Sequence, residues 1–261
     1  MGRVSTARRW ARYTGIRPVA EAAGSWLAAR ATPAWIHRHS SPTIRDFTQL
    51  SGTLATSGTE FLERLGWPRT AIEPVVAEFD EVIGLLEKRY HSTRLAFPKR
   101  FGVETETGIF IYAATRLLKP ANIVETGVAD GRSSFFFLAA LERNGSGLLH
   151  SFDINPAAGG LVGDHEQWRL AIVDREAPEN SFIESLRQIR SVDLFFHDSD
   201  HRYLGQYFEY AQVWPMMAPD GLFSSDDVDC SKAFVDFCRQ NRQQPEFLFD
   251  NRKVIGGLRT T

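Results

Sequence analysis

A chain of 261 residues, 43% of them hydrophobic, can bury one substantial core and a small second unit. Its formal net charge of −2 lacks the basic surplus of a phosphate-binding protein, which excludes nucleic acid as the expected partner and favours a small molecule. Two cysteines, and no apolar run of signal-peptide or membrane-span length, point to a reduced, cytoplasmic protein without an integral membrane segment.

Residues 1–45 are the one strongly biased segment, with eight Arg, no Lys and the single acid Glu21, together with Trp10, Trp26 and Trp35. Such a segment either packs its Trp rings on the body of the protein or offers a basic amphipathic face to a partner. A homo-oligomer formed through this N-terminal region is the expectation. From Thr43 to Tyr90 the pattern is helical, broken at Gly52, Gly58 and Gly66-Trp67-Pro68. Ile72, Val75, Val76, Phe79, Val82, Ile83 and Leu86 recur at helical spacing and predict one helix over 70–90. A second is predicted over 107–119, closed by Pro120.

After Pro120 short apolar runs alternate with helical stretches. Strands are predicted at 122–126, 148–153, 169–173, 192–197, 221–225, 246–249 and 254–258, with helices at 132–143, 178–190, 203–218 and 230–242. This alternation predicts an α/β, Rossmann-like fold with a mostly parallel seven-stranded sheet covered on both faces. The last two strands are separated only by Asp250-Asn251-Arg252, so the final strand should run antiparallel. If one helix spanned 230–242, Cys230 and Cys238 would lie two turns apart on a similar face, too far for a bridge.

The first chemical motif is Ile123-Val124-Glu125-Thr126-Gly127-Val128-Ala129-Asp130-Gly131-Arg132-Ser133-Ser134. Glycines at a strand-to-helix turn allow positive φ and let a ligand approach backbone N–H groups at a helix N-terminus. The Glu-x-Gly-x-x-x-Gly spacing differs from the Gly-x-Gly-x-x-Gly of dinucleotide sites, which disfavours nicotinamide or flavin. Asp153 ends the second strand, where a carboxylate can accept hydrogen bonds from ribose hydroxyls, and Asp174 follows the third.

The richest stretch is Val192-Asp193-Leu194-Phe195-Phe196-His197-Asp198-Ser199-Asp200-His201-Arg202-Tyr203, followed by Pro219-Asp220-Gly221-Leu222-Phe223-Ser224-Ser225-Asp226-Asp227-Val228. Two strands end in carboxylates, and parallel neighbours bring such ends side by side. Asp198, Asp226 and Asp227 could therefore converge on one hard cation with oxygen ligands, as Mg²⁺ prefers.

The first motif resembles motif I of class I S-adenosylmethionine (SAM)-dependent methyltransferases. The acidic stretches resemble the branch related to catechol O-methyltransferase and to the macrolide-sugar and cephamycin-type metal-dependent O-methyltransferases. The resemblance covers residues 104–258 and departs from that branch at Ser199, Arg202 and Asp220. It implies SAM held by Glu125, Gly127, Gly131, Ser133, Asp153 and Asp174, and Mg²⁺ held by Asp198, Asp226 and Asp227. It further implies His201 as general base, with Asp198 sharing the catalytic role.

The resulting expectation is a helical arm and cap over 1–100 and a SAM-binding methyltransferase domain over 101–261. The activity expected is Mg²⁺-dependent O-methylation of a small hydroxylated molecule such as a sugar, phenol or natural product. The alternatives are a metal-independent O-, N- or carboxyl-methyltransferase and a SAM-binding module without turnover. His197 is expected to pack in the core or to support the site from behind.

Overall fold

The structure is a computed structural model that describes residues 41–261, so residues 1–40 of the Arg- and Trp-rich segment lie outside the described part. Four helices come first: α1 (Ile44–Ser51), α2 (Gly58–Arg64), α3 (Arg69–Val76) and α4 (Phe79–Ser92). A 3₁₀ turn at Lys99–Phe101 leads into α5 (Thr105–Leu118). The α/β part then runs β1 (Asn122–Thr126), α6 (Arg132–Asn144), β2 (Leu148–Asp153), β3 (Trp168–Ile172), α7 (Pro178–Leu186), β4 (Val192–His197) and α8 (Tyr203–Val213). It finishes with β5 (Met217–Ser225), α9 (Ala233–Gln240), β6 (Glu246–Asp250) and β7 (Lys253–Arg259).

The seven strands form one sheet in the order β3-β2-β1-β4-β5-β7-β6. β3 to β5 are parallel, and β7 runs antiparallel to both β5 and β6. This is the expected Rossmann-like sheet with its antiparallel last strand. The order reverses between β1 and β4, which opens a crevice at the C-terminal ends of these strands, where open α/β sheets take ligands.

Side chains alternate cleanly across the sheet, because successive strand residues point to opposite faces. Ile123, Leu194, Phe196 and Leu222 join a core with the helices α2 to α6, whereas Val124, Phe195, Phe223 and Phe247 join one with α7 to α9. Helices α2 to α5 thus share a core with one face of the sheet, while Phe47 of α1 packs with the opposite one. No helix among the described residues is long and apolar enough to cross a membrane.

Several predicted boundaries shift for local reasons. The helix expected over 70–90 is two helices, broken at Ala77–Glu78. Pro74 has no N–H to give to the carbonyl a turn earlier. At the break, Glu78 is tied down by Arg116 at 3.0 Å and Arg143 at 3.3 Å. The helix expected over 203–218 ends at Val213, because Pro215 starts a 3₁₀ turn that feeds β5 from Met217. Those expected over 178–190 and 230–242 shorten to Pro178–Leu186 and Ala233–Gln240. Cys230 therefore precedes the helix that buries Cys238, and both are free thiols.

Gly58 opens α2 where a break was expected. A Cβ there would lie 2.6 Å from the carbonyl oxygen of Glu106, so its absence lets α2 dock on α5. Gly58→Ala should therefore lower unfolding stability by about 1–3 kcal/mol. Gly84 lies inside α4 with open space around its Cβ position, so Gly84→Ala should raise stability by about 0.5–1 kcal/mol. Urea titrations of both variants check the pair, and equal shifts of the midpoint would contradict the packing described.

Candidate active site

The site is assembled from the C-terminal tips of β1, β2, β4 and β5. At the tip of β1 the chain turns through left-handed conformations at Gly127 (φ 82°), Ala129 (φ 47°) and Gly131 (φ 87°) before entering α6. The first N–H groups of α6 lack intrahelical acceptors, as at helix starts that bind anions. A Cβ on Gly127 would lie 2.0 Å from the carbonyl oxygen of Asp198. Glycine is thus required by contact with β4 itself, not only by room for a ligand.

Glu125 is fully buried and accepts the hydroxyls of Ser133 at 2.5 Å, Ser134 at 2.6 Å and Ser151 at 2.6 Å. Burial pushes its pKa up, and the three hydroxyl donors oppose that shift. Glu125 and Ser133, both expected at the cofactor, are thus joined to each other beneath the loop and hold α6 against β1 and β2. Trp168 extends this network to β3 by donating its indole N–H to Ser151 at 2.9 Å.

Asp153 sits at the tip of β2 as expected. Its Oδ2 accepts the N–H groups of Val128 at 2.9 Å and Ala129 at 3.1 Å, and its Oδ1 accepts that of Asn155 at 2.8 Å. It therefore fixes the loop, and each oxygen retains acceptor capacity toward the crevice. Asp174 lies just past β3 and accepts the Glu176 N–H at 2.9 Å in an exposed turn. Asp130, which the sequence reading passed over, binds the N–H groups of Ala96 at 2.9 Å and Phe97 at 3.1 Å. That pins the segment before α5 to the glycine loop.

The acidic groups stand on extended ladder bonds: Asp198 N donates to Thr126 O at 2.7 Å and Asp226 N to His197 O at 2.8 Å. Asp227 has φ 49°, so the consecutive acids diverge. Asp227 Oδ2 faces His201 Nε2 at 3.3 Å, and Asp198 Oδ1 faces the same nitrogen at 3.9 Å. Asp226 turns inward to an ion pair with Lys253 at the start of β7. Three of the four expected groups, Asp198, His201 and Asp227, offer atoms within 4.8 Å of one another, and Asp226 lies behind them. Lys253 escaped the sequence reading because only the antiparallel return of β7 brings it here.

The charge in this corner suits a cation. Asp198 has its pKa raised well above the ordinary carboxylate range, by burial first and then by the negative charge of Asp226. Asp226 is pushed up to about 6 by burial, against the pull of Lys253. Acids that resist ionisation together are what a bound divalent cation would relieve, and carboxylate oxygens are the ligands a hard cation takes. The residues present therefore fit a hard divalent ion.

His197 is fully buried under this site, as a packing residue was expected to be. Burial lowers its pKa to about 3 and raises that of Glu209 to about 7. The two lie 3.4 Å apart, burial favouring the neutral form of each, and Ser199 lies 2.8 and 2.9 Å from the two Glu209 oxygens.

Residues 124–228 match a family model described as a methyltransferase domain. Among solved structures, an SAH-bound methyltransferase from Podospora anserina superposes with a TM-score of 0.51 at 16% identity, covering 70% of this chain and 88% of that one. An O-methyltransferase from Bacillus cereus in complex with SAH gives 0.50 at 12% identity, covering 84% of this chain and 100% of that one. No curated protein matches in sequence. Residues 124–228 are thus similar to a methyltransferase domain, and the chain shares the fold of these SAH-bound methyltransferases.

Two variants probe the loop. Gly127→Ala should lose about 1–3 kcal/mol of stability even without SAM, because the added carbon meets β4. Unchanged stability in denaturant would show that the Asp198 contact is not tight. Glu125 has a raised native pKa, so its contribution to stability is full below the unfolded value and is lost as pH rises through the native one. Glu125→Gln should therefore lose less stability than the wild type as pH rises above the unfolded carboxylate value, as read by urea unfolding across a pH series.

Proposed function

We propose that the enzyme is an Mg²⁺-dependent O-methyltransferase of a small hydroxylated acceptor such as a sugar, phenol or natural product. The observation that carries this reading is the approach of Asp198, His201 and Asp227 at the tips of β4 and β5, beside the glycine loop. We assign SAM to the crevice beside that loop. Gly127 and Gly131 let the chain turn there, Asp153 takes the ribose hydroxyls, and Asp174 flanks the adenine end. Glu125 and Ser133 support the loop from beneath. Residues 1–100 are assigned to a helical arm and cap, and residues 101–261 to the methyltransferase domain.

Methyl transfer to oxygen needs a hydroxyl held in line with the methyl group and a group to take its proton. Asp198 and Asp227 would hold the cation, which when bound supplies orientation and a lowered hydroxyl pKa. His201 is the base in this reading. Its Nε2 faces the two carboxylates, and its imidazole is one-third exposed, so it reaches both the cation corner and solvent. Arg202, next to His201, is turned away by its ion pair with Asp200 at 2.7 Å and leaves the base unobstructed.

Treatment with a chelator should abolish turnover, and added Mg²⁺ should restore it. Asp198→Asn and Asp227→Asn should lose most activity while keeping SAM affinity within a few-fold in calorimetric titration. His201→Ala should keep metal and SAM but slow turnover by about 10²–10⁴-fold, with partial recovery at higher pH. Full activity of both Asn variants in chelator would establish metal-independent transfer instead. SAM binding with no turnover on any hydroxylated acceptor would favour a binding module.

A further inference from the structure

Asp226 and Lys253 form the most deeply buried ion pair beside the site, with side chains 0% and 6% exposed. The partner choice is informative. Lys253 stands opposite Asp250 in the β6–β7 register, yet Asp250 Oδ2 is taken by the N–H of Thr107 at 2.7 Å and its hydroxyl at 2.8 Å. The ammonium reaches across the sheet end to Asp226 instead. The turn after Asp226 is stapled to the same strand: Val228 N donates to Val254 O at 3.0 Å, and Val254 N donates to Asp229 Oδ1 at 2.9 Å.

We propose that Lys253 is a positioning residue whose ammonium keeps Asp226 out of the ligand set and leaves the cation to the two carboxylates of Asp198 and Asp227. This rests on the metal-dependent reading above. One Asp226 oxygen is held by Lys253 and the other accepts the Asp227 N–H at 2.8 Å, so Asp198 and Asp227 are the two carboxylates left to face a divalent ion. Mg²⁺ retains several of its waters and is commonly held by one or two carboxylates, so two suffice. The pairing also fixes the divergence of Asp226 and Asp227, since one of two adjacent acids is committed to β7.

Binding of Mn²⁺, followed by electron paramagnetic resonance in the full chain without acceptor, separates the outcomes. Lys253→Met removes a positive charge and frees a carboxylate, so its Mn²⁺ affinity should rise by about 10-fold. The double variant Asp226→Leu/Lys253→Met removes the pair together and should bind Mn²⁺ within about 3-fold of wild type. Asp227→Asn should weaken binding by at least about 10-fold. Weaker or unchanged affinity in a folded Lys253→Met would overturn the proposal, and so would a double variant that binds as poorly as Asp227→Asn. If Lys253→Met does not fold, the double variant decides. Absence of Mn²⁺ binding by the wild type would overturn the metal reading and this proposal together, whereas binding by the wild type with loss in the double variant would overturn this proposal alone.

Discussion

The contact on which the site depends is between two backbones. The tips of β1 and β4 pass so close that the space of a Cβ at Gly127 is already filled by the Asp198 carbonyl. Asp198 N donates to Thr126 O in the same place, so the loop that bears the cofactor motif and the strand that bears the first acid are one hydrogen-bonded unit. Donor and acceptor of a methyl group must meet in line within a narrow range of distance. Under the proposed function that geometry would be set by a sheet ladder, which deforms little, rather than by flexible loops.

Around this junction the protein places buried polar groups in matched sets. Glu125 has three hydroxyl donors, Glu209 pairs with His197 and Ser199, and Asp226 has Lys253. A buried carboxylate without such partners would cost several kcal/mol, on the order of what a whole small domain has to spare. Asp198 and Asp227 lack a comparable cationic partner among the described residues. The acids beneath the sheet end are paired, whereas Asp198 and Asp227 face each other across His201.

Much of this was legible in the sequence. The change from helical to strand periodicity after Pro120 is carried by residues such as Ile123, Val124, Phe195 and Phe196, each committed to one face by burial, so strand positions and the seven-stranded sheet followed. The acids at strand tips were equally visible. The partners chosen by those acids were not, because they depend on contacts between distant segments. Asp130 binds a segment more than thirty residues upstream, and Asp226 meets a lysine on a strand whose placement beside β5 is a matter of topology. The break between α3 and α4 was hidden because hydrophobic spacing continues through it, while the Glu78 ion pairs that sit at the break reach distant segments.

The bond from Asp130 to Ala96 and Phe97 has a bearing on how such an enzyme could diversify. It bolts the segment leading into α5, including Lys99 and Phe101 beside the crevice, to the glycine loop before α6. Because the carboxylate grips main-chain N–H groups, it is indifferent to which side chains the segment displays. Side chains can be exchanged there without disturbing the main-chain grip, so the crevice wall they form can change on a fixed backbone trace.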